Sequence, residues 1–194
     1  GDLIVDEYIT CEPLGMSQED PTIVVMPLDS TRFIGGAGIV AAHAAGLGAS
    51  VQFISVTGSD ASREFALERL EEVGVDAQLL EDDNRPTTLK QRFRSKGKSL
   101  LRVSHLHQGA ISAELQARLL MKFEQVLDGL DLLVFADFNY GCLPQSLVDQ
   151  LVTMAKDRDI LLVADSQSSS QLGDISRFRG MDLITPTEHE ARIS

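Results

Sequence analysis

The spacing of apolar residues switches repeatedly between the period of a buried strand and that of a helix, and these switches predict the elements. Val51–Thr57 reads as a buried strand. Residues 60–73 read as an amphipathic helix with Phe65, Ala66, Leu70 and Val73 inward and Asp60 suited to cap it. Residues 75–80 form the next strand. After an interruption the alternation resumes with a helix at 112–127, whose inward stripe is Leu115, Leu119, Phe123 and Val126, and a strand at 132–136. The helix Gln145–Lys156 buries Leu147, Val148, Leu151 and Met154, and strands follow at 160–164 and Leu183–Ile184. Strands alternating with helices indicate a parallel α/β sheet.

Three stretches depart from that rhythm. Residues 3–5 are a short apolar run between Asp2 and Asp6, which reads as a strand end where carboxylates meet a ligand or merely solvent. Residues 22–33 are extended, and Pro21 and Pro27 restrict them to a sheet edge. Residues 87–94 and 100–105 form a hairpin around Lys96, Gly97 and Lys98. Lys90, Arg92 and Arg94 share one face of it, with Arg102 and Ser104 on one face of the return strand. That cationic face is either edge protection by charge or a lid that brings cations to a phosphate or acidic substrate.

The stretch 32–48, RFIGGAGIVAAHAAGLG, joins two adjacent glycines to a helix of small residues at 37–47. Gly35 and Gly36 permit a turn that side chains would obstruct, and the first-turn amides beyond them can form a corner for an anion or hydroxyl. A glycine turn before a buried helix is the plainer reading. Residues 36–41 also fit the dinucleotide pattern G-x-G-x-x-A, but only Phe33 and Ile34 precede the glycines, where that pattern requires a buried strand. Farther along, three predicted strands end in polar groups: Asp137, Asp165, and Thr185 to Glu190. Ligands of open α/β sheets bind at that edge. His105 and His107 lack further ligands nearby to complete a metal set.

Composition narrows the partners. With 194 residues, 43% of them hydrophobic, the chain suits one globular domain. Its net charge of -12 argues against nucleic acid and anionic membrane surfaces. Cys11 and Cys142 are far apart, as suits a reducing, cytoplasmic setting, and no apolar run is long enough to span a bilayer. Both ends read as cut.

Several segments, taken in order, resemble the ribokinase-like, PfkB-type sugar kinases, most closely the heptose-7-phosphate kinase domain of bifunctional ADP-heptose synthases. They are Gly1-Asp2 with Asp6 and Tyr8; Ser17, Glu19 and Pro21; Gly35-Gly36-Ala37; Lys90, Arg92 and Arg102; Asp137 with Gly141; Asp165; and Thr185-Pro186 with Glu190. The resemblance implies an α/β/α sandwich with a mainly parallel central sheet and a small β lid at about 8–34 and 86–107. Residues 1–194 would then be a single partial domain from which the C-terminal nucleotide-binding part is absent. It further implies transfer of the ATP γ-phosphoryl group to a hydroxyl of a sugar or sugar phosphate with Mg²⁺, and homodimerisation through the lid.

Carried over by position, Asp6, Gly35 and Gly36 would hold sugar hydroxyls, and Lys90, Arg92, Arg102 and Asp137 would face the substrate. Asp165 and Glu190 would stand on the phosphate and nucleotide side, with Glu190 acting indirectly on the metal. The catalytic-base aspartate is expected beyond Ser194. Ile39 stands where heptose kinases place Asn, Tyr140 where a lysine precedes Gly141, Asp165-Ser166-Gln167-Ser168 where Asp-Pro-Lys-Gly is expected, and Thr187 where an Asn follows Thr-Pro. These departures leave open a catalytically silent relative that binds sugar or dimerises.

Overall fold

A computed structural model describes residues 1–167 and 173–193. The Ser168 and Ser194 positions named above lie outside them. The chain opens with two long antiparallel strands, β1 (Leu3–Met16) and β2 (Ile23–Gly36), which run in register from Leu3 opposite Gly36 to Met16 opposite Ile23. The apolar run predicts only residues 3–5 of β1, and mixed residues with Pro13 and Gly15 follow it. Pairing with β2 overrides that local signal, and irregularities after Thr10 and Pro13 absorb the mismatch. As Pro27 requires, β2 lies at an edge.

Strand β2 runs without a break through Gly35 and Gly36 into α1 (Ala37–Gly46). β3 (Val51–Thr57), α2 (Ala61–Glu72) and β4 (Val75–Glu81) follow, with β3 and β4 parallel. The hairpin is β5 (Leu89–Ser95) and β6 (Lys98–His105), and it completes a lid sheet of order β2-β1-β5-β6. After it come α3 (Ala113–Val126), β7 (Leu132–Asp137), α4 (Gln145–Lys156), β8 (Leu161–Ser166), β9 (Leu183–Ile184) and α5 (Glu188–Ile193). β7, β8 and β9 form a parallel sheet in that order.

The start of β1 ties the sheets together. The Gly1 nitrogen donates to the Ile54 carbonyl at 3.2 Å and the Leu3 N–H to Ser55 Oγ at 3.3 Å, both in β3. The Asp2 N–H donates to the Ala136 carbonyl of β7 at 3.1 Å. Alternation then sorts side chains onto two faces. Phe53, Val75, Leu79 and Ala136 meet α1 and α2 in one apolar cluster, whereas Val56, Leu80, Phe135 and Leu162 meet α3 and α4 in another. Ala66, Leu70, Leu115, Leu119, Phe123, Leu147, Val148 and Leu151 are buried as their stripes predict. Val73 is not: it follows the last turn of α2 and is 48% exposed.

On the face of β7–β9 that would continue the α1/α2 layer, Leu132, Val134, Leu161 and Leu183 are 38–56% exposed. The register sets Leu132 beside Leu161 and Val163 beside Leu183. Among the described residues no helix covers this patch, and none is long and apolar enough to cross a membrane.

Candidate active site

Asp6 in β1 lines a cavity of about 730 Å³ between the lid and the start of α1. That volume falls in the range typical of small-molecule sites. Parallel pairing sets Asp6 beside Lys90, Tyr8 beside Arg92 and Thr10 beside Arg94, and β2 adds Phe33 and Thr31. All these side chains occupy one face of the lid, the face turned to the cavity. Asp6, Tyr8, Thr10, Thr31, Phe33 and Arg94 line it directly, together with Gly35, Gly36, Ile39, Val40, Phe138 and Gln167.

Both glycines are required by close approach. A Cβ at Gly35 would collide with the Asp6 carboxylate. Gly36 has φ +56°, where a Cβ would stand 2.5 Å from the Asp2 carbonyl oxygen. That oxygen accepts the Ala37 N–H at 2.8 Å and so anchors the first turn of α1 beside the cavity.

Arg92 Nη2 reaches Asp6 Oδ1 at 3.7 Å, a long ion pair with both side chains partly exposed. Asp6 Oδ1 itself is buried without a hydrogen-bond partner, as is Arg92 Nε. Arg102 lies directly opposite Arg92 on β6, an arrangement of like charges that destabilises a sheet. Arg92 and Arg94 also stand over the Tyr8 ring at 5.7 and 5.5 Å. Lys90 Nζ sits 5.1 Å from the Tyr140 ring and 5.7 Å from the Phe138 ring.

The opposite face of the lid has a closed polar network instead. Glu7 accepts hydrogen bonds from Ser30 Oγ at 2.8 Å, Arg32 Nε at 2.9 Å and Gln91 Nε2 at 2.7 Å, and Gln91 Oε1 lies 3.1 Å from His105 Nε2. Burial alone would raise the Glu7 pKa, but the bonds from Gln91, Arg32 and Ser30 outweigh it and hold the carboxyl below its ordinary range.

The acids predicted at the strand ends sit differently. Asp137 is 1% exposed, and its Oδ2 accepts from Ser166 Oγ at 3.0 Å and Arg177 Nη2 at 3.3 Å. Asp165 accepts from Thr185 Oγ1 at 3.1 Å and Gln167 Nε2 at 2.8 Å. Glu190 is buried, and its Oε2 accepts both the Thr187 N–H at 2.8 Å and the Thr187 hydroxyl at 2.7 Å. Of the predicted site residues, Asp6, Gly35 and Gly36 line the cavity and Arg92 reaches it through Asp6. Lys90 stands over Phe138, one of the lining side chains. Arg102 is an exposed neighbour of Arg92, and Asp137, Asp165 and Glu190 are engaged beyond the cavity wall.

Two groups have positioning roles that the sequence reading did not assign: Asp2, read there as a strand-end carboxylate, and Arg177. Asp2 is buried and accepts the N–H groups of Phe138 at 2.7 Å, Tyr140 at 3.3 Å and Cys142 at 3.2 Å, so it shapes the loop that presents Phe138. Burial pushes its carboxyl above the ordinary range and nearby Asp137 adds to the rise, with the amide bonds opposing. Arg177, in a short turn before β9, holds Asp137 and the Leu143 carbonyl. Neither role is legible locally, since their partners are 136 and 40 positions away.

Residues 11–194 match the profile of the pfkB family carbohydrate kinases. The chain belongs to that family. Among relatives of this PfkB chain, the bifunctional protein HldE of Helicobacter hepaticus is 31% identical over 197 residues, covering 100% of the chain and 40% of the relative. That of Desulfatibacillum aliphaticivorans is 32% identical over 193 residues, covering 98% and 38%. The chain thus spans about two fifths of the length of the curated relatives it matches.

Solved structures agree on the ribokinase-like fold. Phosphofructokinase-2 from Escherichia coli in complex with fructose-6-phosphate superimposes with TM-score 0.71 at 19% identity, covering 99% of this chain and 61% of that one. Ribokinase from Arabidopsis thaliana complexed with ribose and ATP gives 0.68 at 18%, covering 98% and 59%.

Proposed function

We propose that this PfkB chain forms the sugar-binding and lid portion of a cytoplasmic, ATP-dependent carbohydrate kinase of the ADP-heptose synthase kind, phosphorylating a hydroxyl of a sugar or sugar phosphate. The observation that supports it is the cavity lined by Asp6, the glycine pair and Arg94, on the lid face that also carries Lys90 and Arg92. In this reading Asp6 and the backbone beside Gly35 and Gly36 bind hydroxyls, while Arg92, with Lys90 and Arg102 near it, attracts the substrate's phosphate. Such chemistry asks a protein mainly for positioning and charge stabilisation.

ATP is the phosphoryl donor, and bound Mg²⁺ would neutralise charge on its β- and γ-phosphates. The described residues include no cluster of three or more His, Cys, Asp or Glu side chains placed to hold a metal. Mg²⁺ keeps most of its waters and uses few protein ligands, so Asp165 and Glu190, each already hydrogen-bonded, fit an indirect role on the phosphate side. Asp137 would serve the substrate side by fixing the β7 end and the Phe138 loop.

The relatives' greater length leaves room for a partner segment over Leu132, Val134, Leu161 and Leu183. Leu14, Met16 and Leu28, exposed on the lid, support dimerisation through it. A second reading is a silent sugar-binding relative, favoured by Tyr140, which is 2% exposed and packed under Lys90 at the position where a lysine is expected before Gly141.

The test is calorimetry with a panel of hexose and heptose phosphates, followed by ATP consumption assays on the longest natural chain containing these residues. Saturable sugar binding with sugar-dependent ATP consumption is expected. Sugar binding without turnover would favour the silent relative, and no sugar binding would reject both.

A further inference from the structure

The cavity has two unlike walls. Asp6, Thr10, Thr31 and Arg94 make one side able to hydrogen-bond. Phe33 stands on that lid side, opposite Asp6 in the register. The rest of the lining is mostly carbon: Ile39 and Val40 from α1, Ile34 from β2 and Phe138 from the loop after β7, with Gln167 adding one amide. Ile39, part of that lining, is 36% exposed. Ile39 sits in the first turn of α1, immediately beyond the glycine pair where sugar hydroxyls are expected to bind, and its side chain can neither donate nor accept.

A hydroxyl pressed against such a wall loses its water and gains no partner, whereas a C–H group there is favoured. From this we infer that the substrate is a deoxy sugar, with the carbon that rests on Ile39 lacking a hydroxyl and its C–H face lying along Phe138. Asp6 takes hydroxyls that point to the lid. The inference rests on the sugar-kinase reading above and narrows it.

The test is titration calorimetry of the chain with matched pairs of ligands: hexose phosphates deoxygenated at each ring position in turn, and their fully hydroxylated parents. One deoxy member should bind about ten- to a hundredfold tighter than its parent, the limit set by how weakly an apolar wall rejects an added hydroxyl. Ile39→Asn should abolish or reverse that preference, and Ile39→Val should keep it. Because Ile39 is partly exposed, both variants should retain the thermal unfolding transition. Parents that bind as well as every deoxy partner, or a preference unmoved by Ile39→Asn, would overturn the inference while leaving the sugar-kinase reading intact. A panel in which nothing binds would overturn both.

Discussion

The charges of the lid and the charges at the β7–β9 strand ends look alike in sequence and behave in opposite ways in the fold. At the strand ends Asp137 is buried against Arg177 and Ser166, and Glu190 is bonded to Thr187, so these acids are held by protein groups. On the cavity face of the lid Arg92 and Arg102 oppose each other, and the nearest acid, Asp6, stands 3.7 Å from Arg92. Charge that the fold satisfies contributes to stability. Surplus charge of one sign costs stability and makes sense as ligand recognition.

The sharpest break in this comparison is Arg177→Ala. It would leave the Asp137 carboxylate buried beside Ser166 without its cation, and should destabilise the chain by about 3 kcal/mol, read as a lowered urea midpoint. A loss under about 1 kcal/mol would mean that the strand end tolerates an unpaired charge, and the contrast would fail.

Arg102→Ala should do the reverse. Sugar phosphate affinity should fall by about 1.5–3 kcal/mol if the lid makes a charge-assisted contact, while stability stays level or rises slightly as the repulsion with Arg92 is relieved. Calorimetry and thermal unfolding of the same variant separate the two effects.

The other face of the lid provides a control, because there the charge is satisfied. Hydrogen bonds hold the Glu7 pKa below the ordinary glutamate value of about 4.5, so its ionised form stabilises the fold above that pH. That contribution should be lost as pH falls through the lowered folded value. Glu7→Gln should therefore unfold more easily at neutral pH, by about 1–2 kcal/mol, and its loss of stability on acidification should be shallower than that of the unmodified chain. Parallel pH profiles would remove Glu7 from the network. The smallest effect belongs to Val73→Ser: half exposed just beyond α2, it should change stability by no more than about 0.5 kcal/mol.

Much of the architecture was legible because it is local. The helical stripes at Leu115, Leu119 and Phe123 and at Leu147, Val148 and Leu151 follow from period alone, and Asp60 accepts the Ser62 and Arg63 N–H groups as its cap position predicts. The cationic face of the hairpin was legible for the same reason, since β-strand alternation puts Lys90, Arg92 and Arg94 on one side.

Val73 shows the limit, because a helical stripe says nothing of where the last turn ends. The outer half of β1 shows another. It has no apolar run of its own, and β2 supplies its pairing across the hairpin, from Cys11 opposite Pro27 to Met16 opposite Ile23.

By itself, then, the sequence determined most of the helices and strands and their inward faces, which follow from backbone periodicity, and the need for glycine at Gly36, which is steric. The order of Asp6, the glycine pair and the lid cations resembles that of a PfkB sugar kinase. Only the tertiary structure decided which charges are spent within the fold and which face the cavity. Burial and hydrogen-bond partners are set by contacts between residues far apart in the chain: Asp2 with the Phe138 loop, Arg177 with Asp137, and Glu7 with Gln91.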